Sequence, residues 1–181
     1  YLVPEDAATI WRGPMVMSAI EQLLRDVDWQ NLDILIIDMP PGTGDAQLTL
    51  SQRVKLAGAI IVSTPQDLSL IDARKGLNMF KKVNVPILGI IENMSYFQCT
   101  NCDTKHEIFG NGGAKAEADK LGVPFLNEIP LDISLRTSSD DGNPIVEKDP
   151  NSIISQKYME IGSQIIKNIL SNEKPSPKII Q

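Results

Sequence analysis

Two cysteines, Cys99 and Cys102, stand in the stretch F-Q-C-T-N-C-D and are the only thiols in 181 residues. C-x-x-C spacing lets both sulfurs turn to one metal, but a closed zinc or iron–sulfur site takes four ligands. Three chemistries compete for such a half-site. A redox dithiol belongs where a strand gives way to a helix whose dipole lowers the thiol pKa. Here the pair lies in a polar loop with Asn101, Asp103 and Thr104, and a hairpin fits that loop equally well. A zinc ribbon needs two more ligands, and His106 is the only histidine. It reads as a loop histidine. The third chemistry is a site shared across a two-fold axis, where two chains supply four thiolates to a cubane cluster. Spacing alone leaves the three open.

Oxygen and backbone groups suggest a second chemistry. In D-M-P-P-G-T-G-D (38–45) Asp38 closes an apolar run, a placement suited to a magnesium ion or its water beside a nucleotide. Gly42 and Gly44 would let backbone N–H groups approach a phosphate. The same residues also suit a Pro-Gly turn with Asp45 as a helix cap. S-T-P-Q-D (63–67) leads into a helix, with Thr or Asp as its cap. In E-N-M-S (92–95) the Asn93 amide has the donor and acceptor needed to read a base edge.

The elements that must position these residues follow from periodicity. Gly13-Pro14 opens a helix with Val16, Ile20, Leu23 and Val27 on one face. D-I-L-I-I-D (33–38), G-A-I-I-V-S (58–63), P-I-L-G-I-I-E-N (86–93) and P-F-L-N-E-I-P (124–130) read as strands, the first three covered on both faces. Helices are expected over 48–56, 68–82, 114–121 (ending at Gly122) and about 152–170, the last with Ile154, Tyr158, Ile161, Ile165 and Ile169 inward. The tail from 171 to 181 is expected to fray. Strands alternating with helices predict an α/β fold, a mostly parallel sheet with helices on both faces, in a single domain over 1–170. No internal repeat or linker is visible. In such sheets ligands bind beyond the carboxyl ends of the strands. The candidate residues lie there.

Bulk properties bound the function. A hydrophobic fraction of 42% with 22% charged residues is that of a globular protein large enough for a real core. A formal charge of −6 and a pI near 4.8 argue against nucleic acid as partner. No apolar run is long enough to cross a bilayer. Y-L-V-P-E-D shows no basic region followed by an apolar one, so no signal peptide is expected. Two cysteines make no disulfide framework, and a reducing compartment is the default.

Taken together, W-R-G-P-M (11–15), D-M-P-P-G-T-G-D, S-T-P-Q-D, D-A-R-K-G (72–76), P-I-L-G-I-I-E-N-M-S, C-T-N-C, I-F-G-N-G-G-A (108–114) and I-P-L-D (129–132) resemble the Mrp family, also called ApbC. Its members are iron–sulfur cluster carrier ATPases related to MinD and to the nitrogenase iron protein. The likeness runs from about Trp11 to Val146 and extends to the mitochondrial branch that serves respiratory complex I assembly. It implies a P-loop NTPase fold and a homodimer that bridges a 4Fe-4S cluster through Cys99 and Cys102. The cluster would pass to apo iron–sulfur proteins, coupled to ATP and Mg2+. The resemblance also implies roles for single residues. Asp38 would act on magnesium and the attacking water, and Pro41, Gly42, Thr43, Gly44 and Asp45 would sense the terminal phosphate. Asn93 would recognise adenine, with Pro130 beside the base.

The departure is one motif. The family's phosphate loop, K-G-G-x-G-K-[ST], does not occur here, and Gly112-Gly113-Ala114-Lys115 is in the wrong element and lacks the hydroxyl. The expectation is therefore the C-terminal portion of a longer protein, inactive as an ATPase on its own. Two other classes remain: a MinD- or ParA-like regulatory ATPase with a zinc loop, and a noncatalytic interaction module. The expected compartment is the cytoplasm, with the mitochondrial matrix as alternative.

Overall fold

The computed structural model describes residues 13–39 and 42–172, which fall into two compact units, 1–55 and 56–181. In the first unit, helix α1 (Gly13–Arg25) and helix α2 (Asp45–Arg53) are joined by an ion pair between Arg53 and Glu21. Helix α2 begins three residues earlier than periodicity suggested, with Gly44 as its N-cap and Asp45 as its first helical residue. Val27 lies beyond the end of α1, and both it and Leu23 are exposed.

The strand expected at 33–38 does not form. These residues carry no ladder, and Ile36 is 82% exposed. A strand exists only by pairing, and the described part of this unit offers no second strand to satisfy its backbone. Asp38 accordingly follows an irregular segment and is exposed.

The second unit carries the sheet. Strands β1 (Ala59–Ser63), β2 (Ile87–Gln98) and β4 (Phe125–Leu131) run parallel in the order β1-β2-β4, and a two-residue strand β3 (Lys105–His106) pairs antiparallel with the end of β2. Helix α3 (Asp67–Lys82) joins β1 to β2, and helix α4 (Gly113–Leu121) lies between β3 and β4. The two helices touch each other and share one face of the sheet. Arg74 of α3 holds Glu117 of α4 through Nε and Nη2 at 2.5 and 2.8 Å, so the D-A-R-K-G stretch clamps the two helices. Two short helices, α5 (Ile133–Asp140) and α6 (Ile145–Lys148), follow β4 and were not foreseen. Asp132 caps α5 by accepting the Leu135 N–H at 3.0 Å, which accounts for the aspartate of I-P-L-D. The last helix, α7 (Ile153–Asn172), covers the opposite face, where Ile161 packs with Leu126, Ile129, Ile60 and Ile91. It runs through Asn172, and the remaining expected tail, 173–181, lies outside the described residues.

A repeated unit sets the sheet's register. Asn84-Val85-Pro86-Ile87-Leu88 and Gly122-Val123-Pro124-Phe125-Leu126 each leave a helix through a residue of positive φ (59° and 64°) and enter a strand through Val-Pro. In each strand the leucine is skipped by the ladder. Ala59↔Ile87 is followed by Ile60↔Gly89, and Ile90↔Phe125 by Ile91↔Asn127. The bulge frees the leucine carbonyl, and α7 supplies a donor to each. Asn168 Nδ2 reaches Leu88 O at 3.1 Å, and Gln164 Nε2, one turn earlier, reaches Leu126 O at 3.2 Å. Leu88 lies over Gly58, just ahead of β1, and Leu126 over Gly89 of β2. A Cβ on Gly58 or Gly89 would fall 2.5 Å from the Cγ of Leu88 or Leu126.

Candidate functional site

The cysteine loop is the turn of a hairpin. Phe97 pairs with His106 and Gln98 with Lys105, and the Phe97 and His106 rings stack at 6.5 Å. The Cys99 N–H donates to Thr104 O at 3.0 Å and the Asp103 N–H to Cys99 O at 2.9 Å, with Asp103 at φ 55°. This geometry excludes the helix N-terminus that a thioredoxin-like dithiol would use. Cys99 is half-buried and Cys102 exposed at the tip. As a thiol, Cys102 donates to Thr104 Oγ1 at 3.2 Å. Hydrogen bonds from the Thr104 side chain, the Thr104 backbone and the Cys99 thiol favour its thiolate and hold its pKa below the ordinary value. Among the described residues no group of three or more His, Cys, Asp or Glu is placed to hold a metal ion. One hairpin thus presents two sulfurs and no third ligand.

The carboxyl ends of the three parallel strands meet just upstream. Ser63, Glu92 and Glu128 stand in one row across β1, β2 and β4, and Asn93 faces Ile129 in the next. The following ladder pair is Phe97↔Leu131, so three residues of β2, 94 to 96, bulge opposite Pro130 alone. Proline has no N–H to continue the ladder, and the bulge is the local solution. Met94 takes φ 54°, and its N–H donates to Asn93 Oδ1 at 3.0 Å. Asn93 and Pro130 are therefore neighbours, as a shared ligand would require. The Asn93 amide nitrogen donates to no protein group among the described residues.

Glu92 organises this end of the sheet, although sequence reading passed over it. It is 0% exposed. Its carboxylate accepts from Ser95 Oγ at 2.6 Å, the Gly112 N–H at 3.1 Å and the Ala114 N–H at 2.8 Å. A buried carboxylate needs such donors to offset its lost hydration. The glycine turn leading into α4 is thus a cradle for an internal anion. It is not a spare phosphate loop. The turn also packs on the S-T-P-Q-D segment, where a Cβ on Gly113 would stand 2.6 Å from Pro65 O. The signal was present in the sequence as a lone charge at the end of the apolar run P-I-L-G-I-I-E.

Around the hairpin, Lys105 Nζ lies 3.9 Å from the Tyr96 ring centroid and 3.9 Å from Glu128 Oε1. Burial, reinforced by Glu128, raises the Tyr96 pKa.

The remaining sequence candidates belong to the first unit. Gly42 (φ 94°), Thr43 and Gly44 are exposed between Asp38 and α2, and Pro41 lies outside the described residues. Asp38 and the Gly42–Asp45 turn belong to the first unit, and Asn93, Pro130 and the cysteine pair to the second.

Known proteins share this pattern. The family model for ParA, described as NUBPL iron-transfer P-loop NTPase, matches residues 1–166. The iron–sulfur cluster transfer protein NUBPL of Dictyostelium discoideum is 54% identical over 96% of this chain and 54% of its own length. The Arabidopsis thaliana iron–sulfur protein required for NADH dehydrogenase, mitochondrial, is 51% identical over 98% and 57%. The iron–sulfur cluster carrier protein of Haemophilus influenzae is 51% identical over 91% and 45%. The chain spans about half the length of these curated relatives. Among solved structures, a nucleotide-binding protein in complex with ADP from Archaeoglobus fulgidus aligns with TM-score 0.64 and 45% identity over 70% of this chain and 52% of its own. The cell division ATPase MinD of Pyrococcus furiosus aligns with TM-score 0.58 at 24% identity over 84% and 57%, a likeness of fold.

Proposed function

We propose, from the premise that this chain belongs to the NUBPL iron-transfer P-loop NTPases of the ParA family, that it carries an iron–sulfur cluster to other proteins. The cluster is cargo, and Cys99 and Cys102 are its ligands. One observation carries the reading: a hairpin tip presents two sulfurs, and among the described residues no third His, Cys, Asp or Glu joins them to hold a metal ion. Two copies related by a two-fold axis would supply the four thiolates that a 4Fe-4S cluster takes. Ligands shared between two chains can be parted, which suits handing the cluster to an apo iron–sulfur protein. The Thr104 hydrogen bonds lower the Cys102 pKa and so favour the thiolate, the form that binds iron.

Nucleotide would act at the sheet's carboxyl end. The Asn93 amide would turn to the base edge, giving up the Met94 N–H that its oxygen holds in the free protein, and Pro130 would flank the base. Asp38 would serve magnesium and the attacking water, and Gly42, Thr43, Gly44 and Asp45 the terminal phosphate. The Archaeoglobus relative's ADP supports a nucleotide for the family. A lysine-bearing phosphate loop is needed for hydrolysis, and no G-K-[ST] occurs in this sequence. This chain alone is therefore expected to show no ATP turnover. No described helix is long and apolar enough to cross a membrane. We place the protein in the cytoplasm, with the mitochondrial matrix as the alternative in view of the Arabidopsis relative's name.

Anaerobic reconstitution with ferrous iron and sulfide tests the reading. About four iron atoms per two chains are expected, with a concentration-dependent dimer. Zinc at one ion per pair of cysteines, or iron retained by a strict monomer, overturns it.

A further inference from the structure

The β2 bulge is the only stretch of that strand without a ladder partner between the nucleotide-proximal row and the cysteines, and its buried hydroxyl faces two acceptors. Ser95 Oγ lies 2.6 Å from Glu92 Oε1 and 3.3 Å from Glu128 Oε2, and has a single proton to give. Bonded to Glu92, Ser95 ties the bulge to the glycine turn, and through Gly113 to the backbone of Pro65. Bonded to Glu128, it ties the bulge to the carboxylate that faces Lys105 of the hairpin. The two arrangements differ by one hydroxyl rotation. At the upstream end, the Met94 N–H is held by the Asn93 side chain itself. A ligand that turns the Asn93 amide removes that bond and frees Met94 from φ 54°.

We propose that Ser95, exchanging its proton between Glu92 and Glu128, is a positioning residue that transmits occupancy at Asn93 to the cysteine hairpin. The inference rests on the nucleotide role given to Asn93 above. Its physical content is a two-state element biased from both ends: by Asn93 through Met94, and by the hairpin through Lys105 and Glu128. No proton is lost or gained, since the hydroxyl only changes acceptor.

The test uses the full-length protein without cluster, with magnesium ADP as probe, and reads hydrogen exchange at the Cys99 and Asp103 amides that close the hairpin. Wild type is expected to change its exchange rate there by about fivefold or more on ADP binding. Ser95→Ala should bind ADP within about twofold of wild type yet lose most of that response, and Ser95→Thr should restore it. A full response in Ser95→Ala overturns the proposal. So does a wild type that binds ADP while its hairpin stays unchanged, an outcome that leaves the function above standing. Failure of wild type to bind ADP sinks the nucleotide reading and the proposal with it. Should Ser95→Ala not fold, Glu128→Ala removes the second acceptor from the partly exposed side. The same loss of response is expected there, and its retention counts against the exchange. In reconstituted protein, release of iron to a ferrous chelator should lose its ADP dependence in the same variants.

Discussion

Strand β2 carries two polar sites of opposite character, Glu92 and the Cys99–Cys102 tip. Glu92 is sealed from water, and a hydroxyl and two backbone N–H groups converge on its carboxylate. The cysteines stand where the strand has left the sheet, one half-buried and one exposed, with sulfur valence to spare. The contrast separates an anion that holds the fold from ligands that wait for cargo. A group whose partners are all internal has nothing left to bind with.

Substitutions at the two sites should therefore fail in opposite ways. Replacing Cys99 and Cys102 together by serine should abolish iron uptake after reconstitution, while the unfolding free energy in urea stays within about 0.5 kcal/mol of wild type because neither side chain is fully buried. Glu92→Gln should do the reverse. It sets an NH2 group against backbone donors and should cost about 1–3 kcal/mol of stability, followed by circular dichroism in urea, with iron stoichiometry retained in the folded fraction. Iron loss in Glu92→Gln at full folding would erase the distinction. A smaller effect is expected at the other end of the sheet. Asn168→Ala orphans the Leu88 carbonyl, but the site is only half-buried, so about 1 kcal/mol is expected, with Gln164→Ala similar.

The smallest effect concerns a third carboxylate, Glu117, paired with Arg74. The Arg74 hydrogen bond, with its charge, holds the Glu117 pKa below its ordinary value of 4.5 against the opposing effect of burial. A depressed folded-state pKa means that the pair's contribution is fully present above the unfolded value. It is lost as pH falls from there through the folded one. Arg74 is 39% exposed, which screens the pair. Glu117→Gln should lower stability slightly at neutral pH, where the pair contributes, and flatten the acid limb so that variant and wild type converge as pH falls.

Much of the second unit was legible because its apolar runs and helical stripes have periods that only one element satisfies. The strands at 58–63, 86–93 and 124–130 and the helices at 68–82, 114–121 and 152–170 all appear within a few residues of expectation. The run 33–38 shows the limit of that signal, since apolar content reports a wish for burial and cannot supply the neighbouring strand. The overshoot of β2 to Gln98 was hidden because E-N-M-S-Y-F-Q leaves the apolar pattern, and its bulge depends on Pro130 across the ladder. In the candidate site, the cysteines announced themselves by spacing. Glu92 did not, because its donors lie three, twenty and twenty-two residues away and only the fold assembles them.

The twin Val-Pro-x-Leu bulges have a consequence for biosynthesis. Their carbonyls are read by the final helix, and Leu88 is separated from Asn168 by 80 positions. At about 5–20 residues per second, translation leaves the alignment of these strands unproofed for roughly 4–16 s. During that interval the leucine carbonyl has no helix donor, so a chaperone would find its opportunity there, and a stop codon ahead of position 164 would leave both carbonyls without one.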